Sequence, residues 1–214
     1  MMIRIHRQPL VRTVVALGAL LAATVAEAGP PLICHPFDAG SARLLPWASQ
    51  GQNWNTPDRS YDVQRLTADT LRLLTPDAPI LARMENMRRA TIYASRDQRA
   101  AAGLLVAVVG RALESSARGT RDPLALFDAG YLIETYKQAG GIFGESARNA
   151  APLLELGSID GYALVRRALE LNGNSPEMEF AASLMKEGAV SAEHRRRAVS
   201  GAPTGSLLAK NLEK

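Results

Sequence analysis

Residues 62–73 read DVQRLTADTLRL, and within them Val63, Leu66, Thr70 and Leu73 recur at steps of three and four. That spacing gathers the four on one side of an α-helix, where a strand would scatter them across two faces. The same stripe returns downstream in Ile80, Met84, Met87 and Thr91. Both stripes read as core-facing surfaces. No stretch of the chain alternates apolar and polar residues with β-branched enrichment, so the sequence predicts an all-α fold of antiparallel helical hairpins, packed as an irregular bundle or a short repeat-like array.

Punctuation sharpens the boundaries. Asp97, Asp122-Pro123 and Ser175-Pro176 each put a side-chain oxygen before a helical run, and in the two proline cases the ring occupies the first helical position, where a missing amide costs nothing. Ser158 and Ser191 are further candidate caps. Gly119, Gly140-Gly141, Gly173 and Gly188 are candidate stops, since glycine enters the left-handed region without steric cost. The predicted helices are 62–75, 79–95, 97–118, 123–138, 158–171 and 175–187, with a weaker one at 191–200. The most apolar window after the leader, Ala100 to Val109, reads as a helix buried on most sides, and no segment of the mature chain is expected to span a membrane.

Several starts lie 17 or 18 residues apart, and two such steps approximate the period of tetratricopeptide helix pairs. The run Ala168-Leu169-Glu170-Leu171-Asn172-Gly173-Asn174-Ser175-Pro176-Glu177 resembles the junction between consecutive repeats of that family, with Gly173 where the family usually places proline. Leu126, Ala129, Gly130 and Ile133 resemble the small-and-large pattern of a first repeat helix. The steps from 97 to 123 to 158 break the period, so the resemblance covers about a third of the chain. It implies a surface for binding partners and no catalysis.

Upstream of the helices the chain has a different character. Arg4, His6, Arg7 and Arg12 precede an apolar stretch from Thr13 to Val25 that ends in Ala26-Glu27-Ala28. A basic start, a short apolar run and a small-x-small terminus are the marks of a cleavable export signal. Residues 1–28 are therefore expected to be removed, leaving a mature chain from Gly29 in the periplasm or outside the cell. The full chain carries 25 Lys and Arg against 21 Asp and Glu. The leader holds three Arg and one Glu, so the mature chain has a net charge near +2. A balance that close to neutral gives no case for a nucleic-acid binder, which needs basic charge concentrated on one face, and no nucleic-acid partner is expected.

Residues 29–61 hold Pro30, Pro31, Pro36, Pro46 and Pro57, both tryptophans and the only cysteine. Proline removes an amide donor and biases its predecessor to extended geometry, so this segment is expected to be an irregular arm. Trp47 and Trp54 supply apolar surface to fasten it to a helical domain at 62–200. Residues 201–214 are expected to be a flexible or weakly helical tail.

The residues with chemical potential cluster in the arm. Cys34, His35, Trp47, Trp54 and Tyr61 are the candidate binding residues. A lone cysteine in an oxidising compartment is buried, reactive or joined to another molecule, which leaves an intermolecular disulfide open. A nucleophilic role requires a base near sulfur, and His35 and His194 are the two histidines of the mature chain. No catalytic residue is assigned. Two histidines and one cysteine are too few for a recognisable zinc spacing, so no metal or other cofactor is expected. His194-Arg195-Arg196-Arg197 reads as a solvated helix end, with contact to an acidic partner or anionic surface as the alternative. The expected activity is protein binding or scaffolding toward another envelope or secreted protein; the alternative is an envelope hydrolase or thiol-dependent enzyme using Cys34.

Overall fold

A computed structural model describes residues 31–48, 56–148 and 158–213, and among these the chain is helical with no strand. A short turn of helix, α1 (Pro31–Cys34), opens the described arm. After a 3-10 turn at Val63–Arg65 come α2 (Leu66–Leu73), α3 (Ile80–Ala94), α4 (Gln98–Ala117) and α5 (Pro123–Arg148). The C-terminal part contributes α6 (Gly161–Leu171), α7 (Pro176–Ser183), α8 (Gly188–Gly201) and α9 (Leu207–Leu212). The all-α reading holds; residues 1–28, where the export signal is expected, and Trp54 lie outside the described residues.

The caps explain why the helices begin where they do. Asp97 accepts from the Ala100 amide at 2.8 Å, and Asp122 from the Leu124 and Ala125 amides at 2.9 and 3.2 Å. Each satisfies amides that have no partner within the helix. Ser175 likewise caps α7 ahead of Pro176. Two expectations change. The cap of α6 is Asp160, which accepts from the Ala163 amide at 3.0 Å, and not Ser158. Ser191 lies inside α8, where its hydroxyl donates to Ser183 O at 2.7 Å.

Gly140-Gly141 does not end α5, which runs on through both glycines to Arg148. A Cβ at either position would meet nothing within 4 Å. The cost of glycine within a helix, about 1 kcal/mol each, is evidently offset by the length of well-packed helix on the N-terminal side, where Phe127, Tyr131, Leu132, Ile133 and Tyr136 are fully buried.

Of the predicted stripe of α3, Met84, Met87 and Thr91 are buried and Ile80 is half-buried, but nearly all of the helix's circumference is buried as well, including Arg83, Glu85, Asn86 and Arg88. This helix is the axis of the fold, touched by α2, α4, α5, α7 and the arm. In contrast α4 is less buried than its composition suggests. It buries Ala100, Ala101, Leu104, Val108, Ala112 and Ser115, and leaves Val106 71% and Leu113 66% exposed. By length and composition alone α4 meets the requirement for crossing a membrane, a test that core helices of soluble proteins also pass. The tail after Gly201 includes α9, whose Leu208 and Asn211 are buried.

Gly130, singled out by the small-and-large pattern, lies where α5 crosses α6. A Cβ there would sit 2.4 Å from Gly161 O and 2.9 Å from Val165 Cγ2, and a Cβ on Gly161 would sit 2.6 Å from Gly130 O. The two backbones approach too closely for any side chain. Gly130→Ala is expected to lower the urea midpoint by the equivalent of about 1–3 kcal/mol, the usual cost of overpacking. An unchanged midpoint would show that the crossing is slack.

Candidate functional site

The arm is not held by apolar contact alone. Its prolines keep it extended, and an extended backbone has no partner for its own amides and carbonyls, which must be satisfied when buried. Side chains of α3 do this. Glu85 Oε2 accepts from the Phe37 amide at 3.0 Å, and Asn86 Oδ1 from the Leu45 amide at 2.8 Å. Arg88 Nη1 donates to Ile33 O at 3.2 Å, Arg89 Nη1 to Leu45 O at 2.6 Å, and Tyr93 Oη to Pro46 O at 2.7 Å. At the far turn Asn211 of α9 pairs with Asp38 in both senses, accepting its amide at 2.8 Å and donating to its carbonyl at 2.9 Å.

Electrostatics bind the α3 groups to one another. The Glu85 carboxylate accepts from Arg88 Nε at 2.8 Å and Nη2 at 2.9 Å, and from Arg89 Nε at 2.7 Å. With the Phe37 amide this fills its acceptor positions. Trp47 lies over both guanidiniums, 5.1 Å from Arg88 Cζ and 5.5 Å from Arg89 Cζ, close enough for cation–π attraction. The same ring meets Tyr93 edge-on at 5.8 Å.

Between arm and helix lies a half-open cavity of about 600 Å³. Phe37, Leu45 and Trp47 form its apolar wall, and Glu85, Arg89 and Asp38 its polar one. Asp38 turns Oδ1 to the Gly40 amide at 2.9 Å. Gly40 sits in the left-handed region at φ +62°, and a Cβ there would press on Leu207 Cδ1 at 2.9 Å, so the turn fits only glycine. A smaller cavity of about 290 Å³ lies between Arg43, Arg72 and the α2–α3 loop.

Among the candidate residues read from sequence, Trp47 lines the larger cavity. Trp54 lies outside the described residues, and Cys34, His35 and Tyr61 do not line this cavity. Cys34 is half-buried, and burial raises its thiol above the usual range against the opposing pull of Arg88. His35 is exposed, and among the described residues no hydrogen bond joins Cys34 to His35 or His194. A raised thiol pKa with no base at hand is the opposite of an activated nucleophile. Tyr61 donates to Asp69 Oδ2 at 3.0 Å and stacks on Tyr93 at 4.5 Å, fastening the arm's re-entry to the bundle. Burial, followed by the Asp69 hydrogen bond and charge, pushes its hydroxyl pKa up.

Sequence reasoning missed Glu85, Asn86 and Arg89, because polar residues between the positions of an apolar stripe default to solvent. The signal present was the spacing of Glu85 to Arg88 and Arg89, three and four residues on, which allows one carboxylate to meet both. His194 also departs from expectation. It is 6% exposed, bonds through Nδ1 to Glu179, and through Nε2 meets Tyr162 Oη at 2.7 Å. The imidazole therefore ties α6, α7 and α8 together. Of the neighbouring arginines, Arg195 donates to Leu212 O, while Arg196 and Arg197 both pair with Glu193.

Among the described residues no group of His, Cys, Asp and Glu is arranged to hold a metal ion. No family model, no curated protein and no solved structure matches the chain.

Proposed function

We propose that the protein is an exported binding module, delivered to the envelope by cleavage before Gly29, whose cavity under the arm receives part of another envelope or secreted protein. The observation that carries this reading is the cavity itself. Ligand sites are concave, about 300–1,000 Å³, and furnished with a few directed polar groups; the space bounded by Phe37, Leu45, Trp47 and Arg89 has that size, with a lining more polar than apolar. The arm that forms one wall is fixed by hydrogen bonds from α3 and α9. A preformed site avoids part of the ordering cost of association.

The remaining helices act as scaffold. The α7–α8 hairpin and the α5–α6 crossing bring the C-terminal half against α3, and α9 reaches back to clamp Asp38. The tetratricopeptide-like stretch at 168–177 fits this supporting role.

A photocrosslinking residue placed at Leu44, on the cavity wall, tests the reading in cells producing the full chain. The control position is Val106, exposed on α4 and absent from the cavity lining. The expected result is a discrete adduct from Leu44 that is missing from Val106, carried by a chain whose first residue is Gly29. No adduct from Leu44, or the same adducts from both positions, would contradict the reading.

A further inference from the structure

We infer that the cavity takes a ligand bearing a carboxylate on an aromatic or aliphatic body, with the carboxylate paired to Arg89; this rests on the cavity being the binding site. Arg89 donates Nε to Glu85 Oε1 and Nη1 to Leu45 O. A guanidinium offers five donors in a planar fork. The Nη2 donors of Arg89 have no acceptor among the described residues, they are not among the buried unsatisfied atoms, and the side chain remains 15% exposed. Among the described residues Nη2 is therefore open to a further acceptor, and Arg89 is one of the residues that line the cavity.

The lining sets two carboxylates, Asp38 and Glu85, against Arg89, so what favours an anion is local to the Arg89 fork. Glu85 is shared between two guanidiniums and its oxygens are filled, so it leaves Arg89 incompletely neutralised. Asp38, the other acidic residue of the wall, forms no ion pair with Arg89 and gives Oδ1 to the Gly40 amide. Arg89 is also pre-oriented, clamped by Glu85, Leu45 O and the Trp47 ring. A carboxylate oxygen meeting Nη2 gains a charge-assisted bond, about twice as strong as a neutral one, without having to order the arginine. The adjoining Trp47 and Phe37 surfaces define the apolar body that accompanies it.

Phenylacetate and its neutral isostere phenylacetamide separate the charge from the ring. Each is titrated into the 15N-labelled mature protein while the Arg89 Nε–H and Trp47 indole N–H resonances are followed. Phenylacetate is expected to shift both resonances to saturation and to bind about tenfold more tightly than the amide or better. That preference should collapse to within about twofold in Arg89→Met and survive in part in Arg89→Lys. The wild-type comparison stands even if Arg89→Met loosens the arm. Equal binding of acid and amide, or no shift from either, would overturn the carboxylate assignment. Failure of the cavity as a binding site would show separately, as the missing Leu44 adduct.

Discussion

Glu85→Ala is expected to destabilise the protein by about 3–5 kcal/mol, the cost of stripping one partner from a buried ion pair, and to release the arm from α3. The carboxylate sits between Arg88 and Arg89 with its side chain 1% exposed, and it also accepts the Phe37 amide. Its removal leaves two guanidiniums side by side where water does not reach Arg88. A single neutral hydrogen bond contributes only about 0.5–1.5 kcal/mol, so the loss of the charge-assisted bonds from Glu85 to both arginines dominates. Urea unfolding gives the magnitude, and Trp47 emission gives the arm, because that ring is packed on the same two arginines. A loss below about 1 kcal/mol with unchanged emission would mean that the arm is held by its apolar residues alone.

The second large effect is expected at Arg83, another buried charge of α3. Its Nη1 donates to Asp128 Oδ2 at 2.6 Å, its Nε to Ala78 O at 3.1 Å, and its Nη2 to Thr75 O. One side chain thus closes the α2–α3 loop and joins α3 to α5. Arg83→Met keeps the apolar stem and removes all three bonds, leaving the Asp128 carboxyl buried without its counter-ion; the expected cost is about 3–5 kcal/mol at neutral pH.

This loss has a direction in pH. Burial raises the Asp128 carboxyl to about 6, with Arg83 opposing the rise. Its unfolded value is near 3.9. A carboxyl whose folded pKa is raised binds more protons folded than unfolded between those values, so its contribution is full below about pH 4 and is lost as pH climbs toward 6. Without Arg83 the folded pKa rises further, and the loss continues beyond 6. The stability gap between wild type and Arg83→Met should therefore be wider at pH 8 than at pH 6. A gap independent of pH would contradict the pairing.

How legible these features were in the sequence depends on what each one rests on. Helix identity is a local property, and Asp97, Asp122 and Ser175 marked starts because capping acts within three residues. The glycines at 140 and 141 misled, since whether a helix passes through a glycine depends on packing elsewhere along it. The site is non-local. Arg89 meets Leu45 O across 44 residues of sequence, and Asn211 meets Asp38 across 173. Trp47 was recognisable as an anchor by its size and its proline-rich setting. Nothing near Glu85 announces that an arm lies across it, because hydrogen bonds from a side chain to a distant backbone leave no pattern in the distant residue. The exposed Val106 and Leu113 were equally hidden, as an apolar helix reads the same whether one face or several are covered.

The central claim is that α3 holds the arm in one conformation and so forms the cavity. Hydrogen exchange at the Phe37 and Leu45 amides tests it most directly, since each donates to a single α3 side chain, Glu85 and Asn86 respectively. A clamped arm predicts that both exchange more slowly than an open loop by a factor on the order of 10³ or greater, and that Glu85→Ala abolishes the protection at Phe37. Exchange of both amides at loop rates in the wild-type protein would contradict the claim.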